Sequence, residues 1–203
     1  MEGTQPPGVC PDGSQGPIKT INTMNEKQKK SISKFLSLIL RHQPEVIGVT
    51  LDENGWTDVD ELIAKMNASG HRLSFDELEE VVDTDDKQRY AFSPDGNKIR
   101  ASQGHSVDIS LGLDPTAPPE YLYHGTVSKF LDSIRKEGLQ RMSRQHLHLS
   151  RDKDTAVTVG SRRGNPVILN ISSGQMHRDG FLFYISDNGV WLTDHVPAKY
   201  INF

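Results

Sequence analysis

Three prolines within thirteen residues, in SLGLDPTAPPEYL (110–122), limit this fold more than any other feature. No helix and no central strand runs through Pro115, Pro118 and Pro119: each lacks an amide donor and restricts the residue before it. The hydrophobic patterning also changes character across this stretch. The chain therefore reads as two units, 25–106 and 121–203, joined by a linker at 107–120. A length of 203 residues suits that division.

Upstream of the linker the period is helical. Residues 1–24, MEGTQPPGVCPDGSQGPIKTINTM, have no core-forming pattern and read as a disordered tail. A first helix is expected over 26–43, with Ile32, Phe35, Leu36, Ile39 and Leu40 on one face and Pro44 ending it. Asn54-Gly55 marks a sharp turn. Thr57 and Asp60 form a capping pattern for a second helix carrying Val59, Leu62, Ile63 and Met66, closed by Gly70. Ser74 and Glu77 form a capping box for a third, carrying Leu78, Val81 and Val82. RYAFSPDGNKIRA (89–101) alternates around an SPDG turn and reads as a hairpin. Three helices and a hairpin come in the order of a winged helix, an order that other small α+β units share.

Downstream, strands dominate. YLYHGT (121–126) is expected as a strand ending in a glycine turn, and SKFLDSIRKEGL (128–139) as an amphipathic helix stopped by Gly138. HLHLS, PVILNI, FLFYIS and GVWLT read as short strands, with one helix at 152–162. The fold class is α+β with a β-rich second half.

Composition narrows the function. The formal net charge of −4 excludes a generic nucleic-acid binder. Residues 1–106 carry 12 Lys and Arg against 17 Asp and Glu, and residues 107–203 carry 11 against 10. Any phosphate site must then be a local cluster of Arg and His. No apolar run is long enough for a membrane span, and no secretory leader is visible. The single cysteine, Cys10, has no internal partner, so the expected setting is reducing and cytoplasmic.

Several fragments hold candidate chemistry. Arg41 and His42 end the first helix, where cations complement the helix dipole or an anion site. Arg89 opens the hairpin opposite in facing to Tyr90 and Phe92. In SRQHLHLS (143–150), Arg144, His146, His148 and Ser150 recur at spacing two and share one strand face. A metal site built from His124, His146 and His148 lacks a carboxylate or cysteine at ligand spacing. IRASQGHS (99–106) sets Gln103, Gly104, His105 and Ser106 after the hairpin, and His124, Gly125 and Thr126 lie at a strand end where backbone can approach a ligand.

Taken together, SKFLSLILRHQPEVIGVTLDENGWTDVDELI, RYAFSPDGNKIRASQGHS, YLYHGT, MSRQHLHLS and NGVWLT resemble the KptA-type RNA 2′-phosphotransferases, in order and over roughly residues 30–203. The resemblance implies an N-terminal winged-helix lobe that holds RNA and a C-terminal ADP-ribosyltransferase-like lobe that holds NAD as co-substrate. It implies that Arg41, His42, Arg89 and Arg144 grip an RNA 2′-phosphate. Gln103, Gly104, His105, Ser106, His124, Gly125, Thr126, His148, Ser150 and Val190 would line the NAD site. It further implies a monomer acting without metal, on tRNA where splicing leaves 2′-phosphates. The physics agrees: a phosphate offers three strong acceptor oxygens, and arginine a planar fork of donors that stays charged. Protein-modifying ADP-ribosyltransferases use a glutamate in the NAD lobe, yet no glutamate follows Glu137, and Val190 stands in the matching stretch. A phosphate nucleophile is already ionised and needs no such base. Two other readings are an ADP-ribosyltransferase that caps terminal phosphates of nucleic acid, and a winged-helix regulator that only binds.

Overall fold

The structure is a computed structural model that describes residues 24–203. Cys10 and nearly all of the tail lie outside the described residues. Met24, read as part of that tail, is buried against the first core, and its amide donates to Glu80.

Helix α1 (Glu26–Arg41) starts at a capping box that joins Asn25 and Gln28 in both directions. Ile32, Leu36, Ile39 and Leu40 are its buried face, as their spacing requires. It stops two residues earlier than expected. Gln43, ahead of Pro44, leaves helical geometry at φ −141° and ψ 62°, and the amides of His42 and Gln43 both donate to the Leu38 carbonyl. The second cap also sits one residue from its expected place. Thr57 and Asp58 form a short strand, β1, and Asp58 caps α2 (Val59–Ala68) by accepting from the Glu61 amide at 2.9 Å. Thr57 is spent on pairing with Ile99, and that long-range demand overrides the local pattern. Helix α3 (Phe75–Asp83) carries the Ser74–Glu77 capping box as read.

Strands β2 (Tyr90–Phe92) and β3 (Lys98–Ala101) form the hairpin in the register Tyr90↔Ala101 to Phe92↔Ile99. Its turn closes through the Gly96 amide and the Ser93 carbonyl at 2.8 Å. β1 completes a three-stranded sheet in the order β1-β3-β2.

In the second half, β4 (Leu122–Val127) is followed by α4 (Leu131–Glu137), which ends at left-handed Gly138, and by β5 (Leu139–Gln140) and β6 (Leu147–Leu149). Then come α5 (Lys153–Gly160), β7 (Pro166–Ile171), α6 (Ser173–Arg178), β8 (Tyr184–Ile185), β9 (Trp191–Thr193), β10 (His195–Val196) and β11 (Ile201–Asn202). The sheets are β11-β7-β4, β6-β9-β8 and the pair β10-β5. Every named strand pair is antiparallel.

Gly125 is not in a turn. It lies within β4, opposite Ile168, under α5. A Cβ there would sit 1.9 Å from the Ala156 carbonyl oxygen and 2.9 Å from the Gly160 nitrogen, so only glycine lets α5 lie this close. FLFYIS contracts to the two strand residues of β8, because Phe183 is wholly buried in the core.

Buried apolar side chains form two clusters, one within Met24–Ala101 and one within Leu122–Ile201. The Pro-rich segment between them is tied to both. Ser110 donates to the Glu53 carbonyl, Thr116 to the Phe183 carbonyl, and Ser173 Oγ to the Pro119 carbonyl. The whole is mixed α and β, as the patterning indicates.

Candidate active site

The four expected phosphate ligands come from three separate segments: the end of α1, the residue before β2 and the turn before β6. Arg41 ends α1, and its Nη2 donates to the Arg89 carbonyl at 3.4 Å. His42 follows, with Nδ1 at 2.9 Å from Ser106 Oγ. Arg89 precedes β2. Asp85 holds it at both ends, accepting from its amide at 2.7 Å and pairing with its Nη1. Gln88, in the left-handed region at φ 44°, shapes the bend before it. Arg144 lies in the turn before β6, and its Nη1 is 3.1 Å from His148 Nδ1.

The strand proper is only Leu147–Leu149, so Arg144 and His146 do not belong to the expected four-residue strand face. Arg144 still meets His148. His146 packs its ring 5.7 Å from the Tyr184 ring. Ser150 pairs with Tyr123 across an isolated bridge.

The electrostatics of this cluster have one sign. Burial lowers the Arg41 pKa from its ordinary value, and the charges of Arg89 and Arg144 lower it further. Burial and then Arg41 and Arg144 lower His42. Burial and then Arg163 and Arg162 lower Arg144. His148 falls to about 3, through burial first and then Arg144 and Arg41. These are cations, and groups that could become cations, withdrawn from water beside other cations. A phosphate dianion among them would oppose every one of these shifts.

The histidine protons follow from partners. A guanidinium only donates, so His148 Nδ1 accepts from Arg144 and Nε2 carries the proton. That Nε2–H is buried with no acceptor among the described residues. His124 Nδ1 donates to the His148 carbonyl at 3.1 Å, which leaves its Nε2 free to accept. Burial is the main cause of the lowered His124 pKa, with Arg163 adding to it. An N–H donor without a partner and a neutral acceptor imidazole suit the hydroxyls and phosphates of a nucleotide.

Gln103, Gly104, His105 and Ser106 lie along α1 rather than in the second core. A Cβ on Gly104 would be 3.7 Å from Arg41 Nη1, and the Ser106 amide donates to the Arg41 carbonyl at 2.8 Å. His105 is 1% exposed, and neither ring nitrogen has a partner among the described residues. Gly55, at φ +79°, lies beside it; a Cβ there would meet Ile109 Cδ1 at 2.6 Å and only touch His105 Nε2, at 3.5 Å. Thr126 is buried in β4. Val190 closes the turn before β9, where its amide and carbonyl both bond Ser186. Asn188 of that turn donates to the Lys87 carbonyl at 2.9 Å, and Asp187 pairs with Arg100 at 2.7 Å.

Sequence reasoning missed Asp85, Lys87, Arg162 and Arg163. Asp85 stands four residues before Arg89, a spacing that could have marked it. Arg162-Arg163 bears on Arg144, His124 and Lys87, but only the fold brings it there. Among the described residues no group of three His, Cys, Asp or Glu is placed to hold a metal ion. Nor is any described helix long and apolar enough to cross a membrane.

Residues 27–195 match the family described as RNA 2′-phosphotransferase, Tpt1 / KptA family. A probable RNA 2′-phosphotransferase of Flavobacterium johnsoniae is 64% identical over 180 residues, 89% of this chain and 99% of that protein. Proteins with the same description from Rhodopirellula baltica and Streptomyces coelicolor are 56% and 51% identical, over 88% and 89% of this chain and 97% and 98% of their own lengths.

Proposed function

Since the chain belongs to the RNA 2′-phosphotransferase family, we propose that it removes a 2′-phosphate from RNA by transferring it to NAD, and does so without a metal ion. In this reading residues 25–106 are a winged-helix lobe that holds RNA and residues 121–203 an ADP-ribosyltransferase-like lobe that holds NAD, with 107–120 between them. The protein works as a monomer in the cytoplasm. The observation that carries the reading is the convergence of Arg41, His42, Arg89 and Arg144 from three segments, each withdrawn from water or placed beside another of the set.

The chemistry divides into two displacements. A 2′-phosphate oxygen attacks C1″ of the nicotinamide ribose, the C1″–N bond breaks, and nicotinamide leaves. The ribose 2″-hydroxyl then gives up its proton as its oxygen attacks phosphorus, the P–O bond to the RNA 2′-oxygen breaks, and that oxygen takes up one proton, so the step is proton-neutral. RNA with a 2′-hydroxyl and ADP-ribose 1″,2″-cyclic phosphate are the products. Arginine donors orient the phosphate in the first displacement. In the second they stabilise charge that builds on the phosphoryl oxygens. His42 is held by Ser106 beside Arg41 with its pKa lowered, so it protonates the departing 2′-oxygen only with the 2′-phosphate bound beside it to offset the neighbouring arginine charge. The buried His148 Nε2–H and the His124 acceptor nitrogen serve the nucleotide.

The test offers the protein two oligoribonucleotides with NAD, one bearing an internal 2′-phosphate and one a 5′-phosphate. The reading expects nicotinamide release and a free 2′-hydroxyl with the first. Stable ADP-ribose capping of the 5′-phosphate, with the 2′-phosphate untouched, favours a terminal-phosphate transferase. No NAD turnover with either leaves only nucleic-acid binding.

A further inference from the structure

Gln145 makes three hydrogen bonds to carbonyls of one short segment. Its amide donates to His105 at 3.0 Å, and its side-chain Nε2 donates to Val107 and Ile109, each at 2.8 Å. That segment also carries Ser106, whose amide bonds the Arg41 carbonyl at 2.8 Å and whose hydroxyl pairs with His42 at 2.9 Å. In the other direction Gln145 directly follows Arg144. The turn that bears both is closed by the Arg144 amide on the Arg141 carbonyl at 3.2 Å and by Arg141 Nη1 on the Gln145 carbonyl at 2.8 Å. One glutamine thus joins the backbone beneath Arg144 to the backbone that holds Arg41 and His42, across the boundary between the two cores.

We infer that Gln145 is a positioning residue, which fixes Arg144 against Arg41 and His42 through the 105–109 segment. The inference rests on the phosphate-gripping reading of those three residues. Arg144 is exposed by its accessible surface even though neighbouring groups partly desolvate its guanidinium, and a long side chain of this kind holds a productive geometry only as well as its backbone is held. A guanidinium fork also depends on its angle to the phosphate more than a point charge does. The residue type fits the task. A carboxamide NH₂ has two donors for two carbonyls, whereas a carboxylate would turn acceptors toward them.

The test is a double-mutant cycle. Gln145→Glu and Gln145→Met are made in the wild-type chain and in Arg144→Ala, and kcat, KM for the 2′-phosphorylated RNA and melting temperature are measured for each. A positioning role predicts a loss in kcat of about tenfold in the wild-type chain. The same substitutions then cost less than about twofold in Arg144→Ala, because the group they position is gone. Equal fold losses in both backgrounds, tracking the melting temperature, overturn the inference in favour of a purely structural role. Wild-type turnover in a folded Gln145→Met overturns it outright. Full activity in Arg144→Ala instead overturns the phosphate-gripping reading, a separate result. Should both substitutions unfold the chain, Gln145→Asn keeps the amide and falls one methylene short. It is expected to retain the fold and lose turnover, and wild-type turnover in it counts against the inference.

Discussion

His105 provides a quantitative test of how the two halves meet. Its ring is 1% exposed, both nitrogens lack partners among the described residues, and its pKa falls to about 4, from burial first and then from Arg41, His42, Arg100 and His146. A histidine whose folded pKa lies below its unfolded value costs nothing when both states are neutral. As pH falls through the unfolded value near 6.5, the unfolded chain takes a proton that the folded chain refuses. Stability is therefore lost between about pH 6.5 and about pH 4, and the loss stops growing only below the folded pKa. At about pH 4.5 a shift of this size destabilises the native state by about 2.5 kcal/mol. The perturbation is His105→Leu, which fills the space beside Gly55 with a group that cannot titrate. The other lowered histidines, His42, His124, His146 and His148, act in both proteins and cancel in the difference. Urea unfolding of each protein at neutral pH and at about pH 4.5 then gives the result. The wild type should lose about 2–3 kcal/mol more than the variant on acidification. Parallel losses would show that His105 is solvated or charged in the native state and would refute the reasoning.

Other expectations follow from particular contacts. Gly125→Ala drives a methyl into the Ala156 carbonyl and should cost at least about 3 kcal/mol in unfolding free energy, visible as a large fall in melting temperature. In the proposed mechanism Arg89→Ala and Arg144→Ala remove donors that act most on the second displacement. Each should slow that step by about 10²–10³ and let ADP-ribosylated RNA accumulate in a single-turnover time course with saturating NAD. Loss of both steps together, with no intermediate, would assign these arginines to binding alone. Chelator treatment should leave turnover unchanged, since arginines supply the charge on the phosphoryl group; recovery by zinc after an EDTA loss would point to the histidines as ligands.

The legible parts of the fold were those written in local sequence. The Ser74–Glu77 box, the SPDG turn and the apolar face of α1 each depend on residues within a few positions of one another. What sequence could not fix were pairings. Thr57 reads as a cap until Ile99 claims it for a strand. Gly125 reads as a turn until α5, some thirty residues on, presses its carbonyl against it. In the site, the four cationic residues were named from their fragments. Their supports were not: Asp85 stands within local reach of Arg89, four residues on, but Gln145 and Arg162-Arg163 become relevant only when separate segments converge. The Gln103–Ser106 segment shows the same limit. Its adjacency to Arg41 and His42 comes from a backbone and a side-chain hydrogen bond that no spacing rule encodes.

The central claim is that the phosphate moves to NAD rather than to water. An oligoribonucleotide labelled with ³²P in its internal 2′-phosphate, incubated with the protein and NAD, tests this directly. The account predicts that the label leaves in ADP-ribose 1″,2″-cyclic phosphate, one equivalent for each nicotinamide released, and that nothing leaves without NAD. Label appearing as inorganic phosphate, with or without NAD, would contradict it.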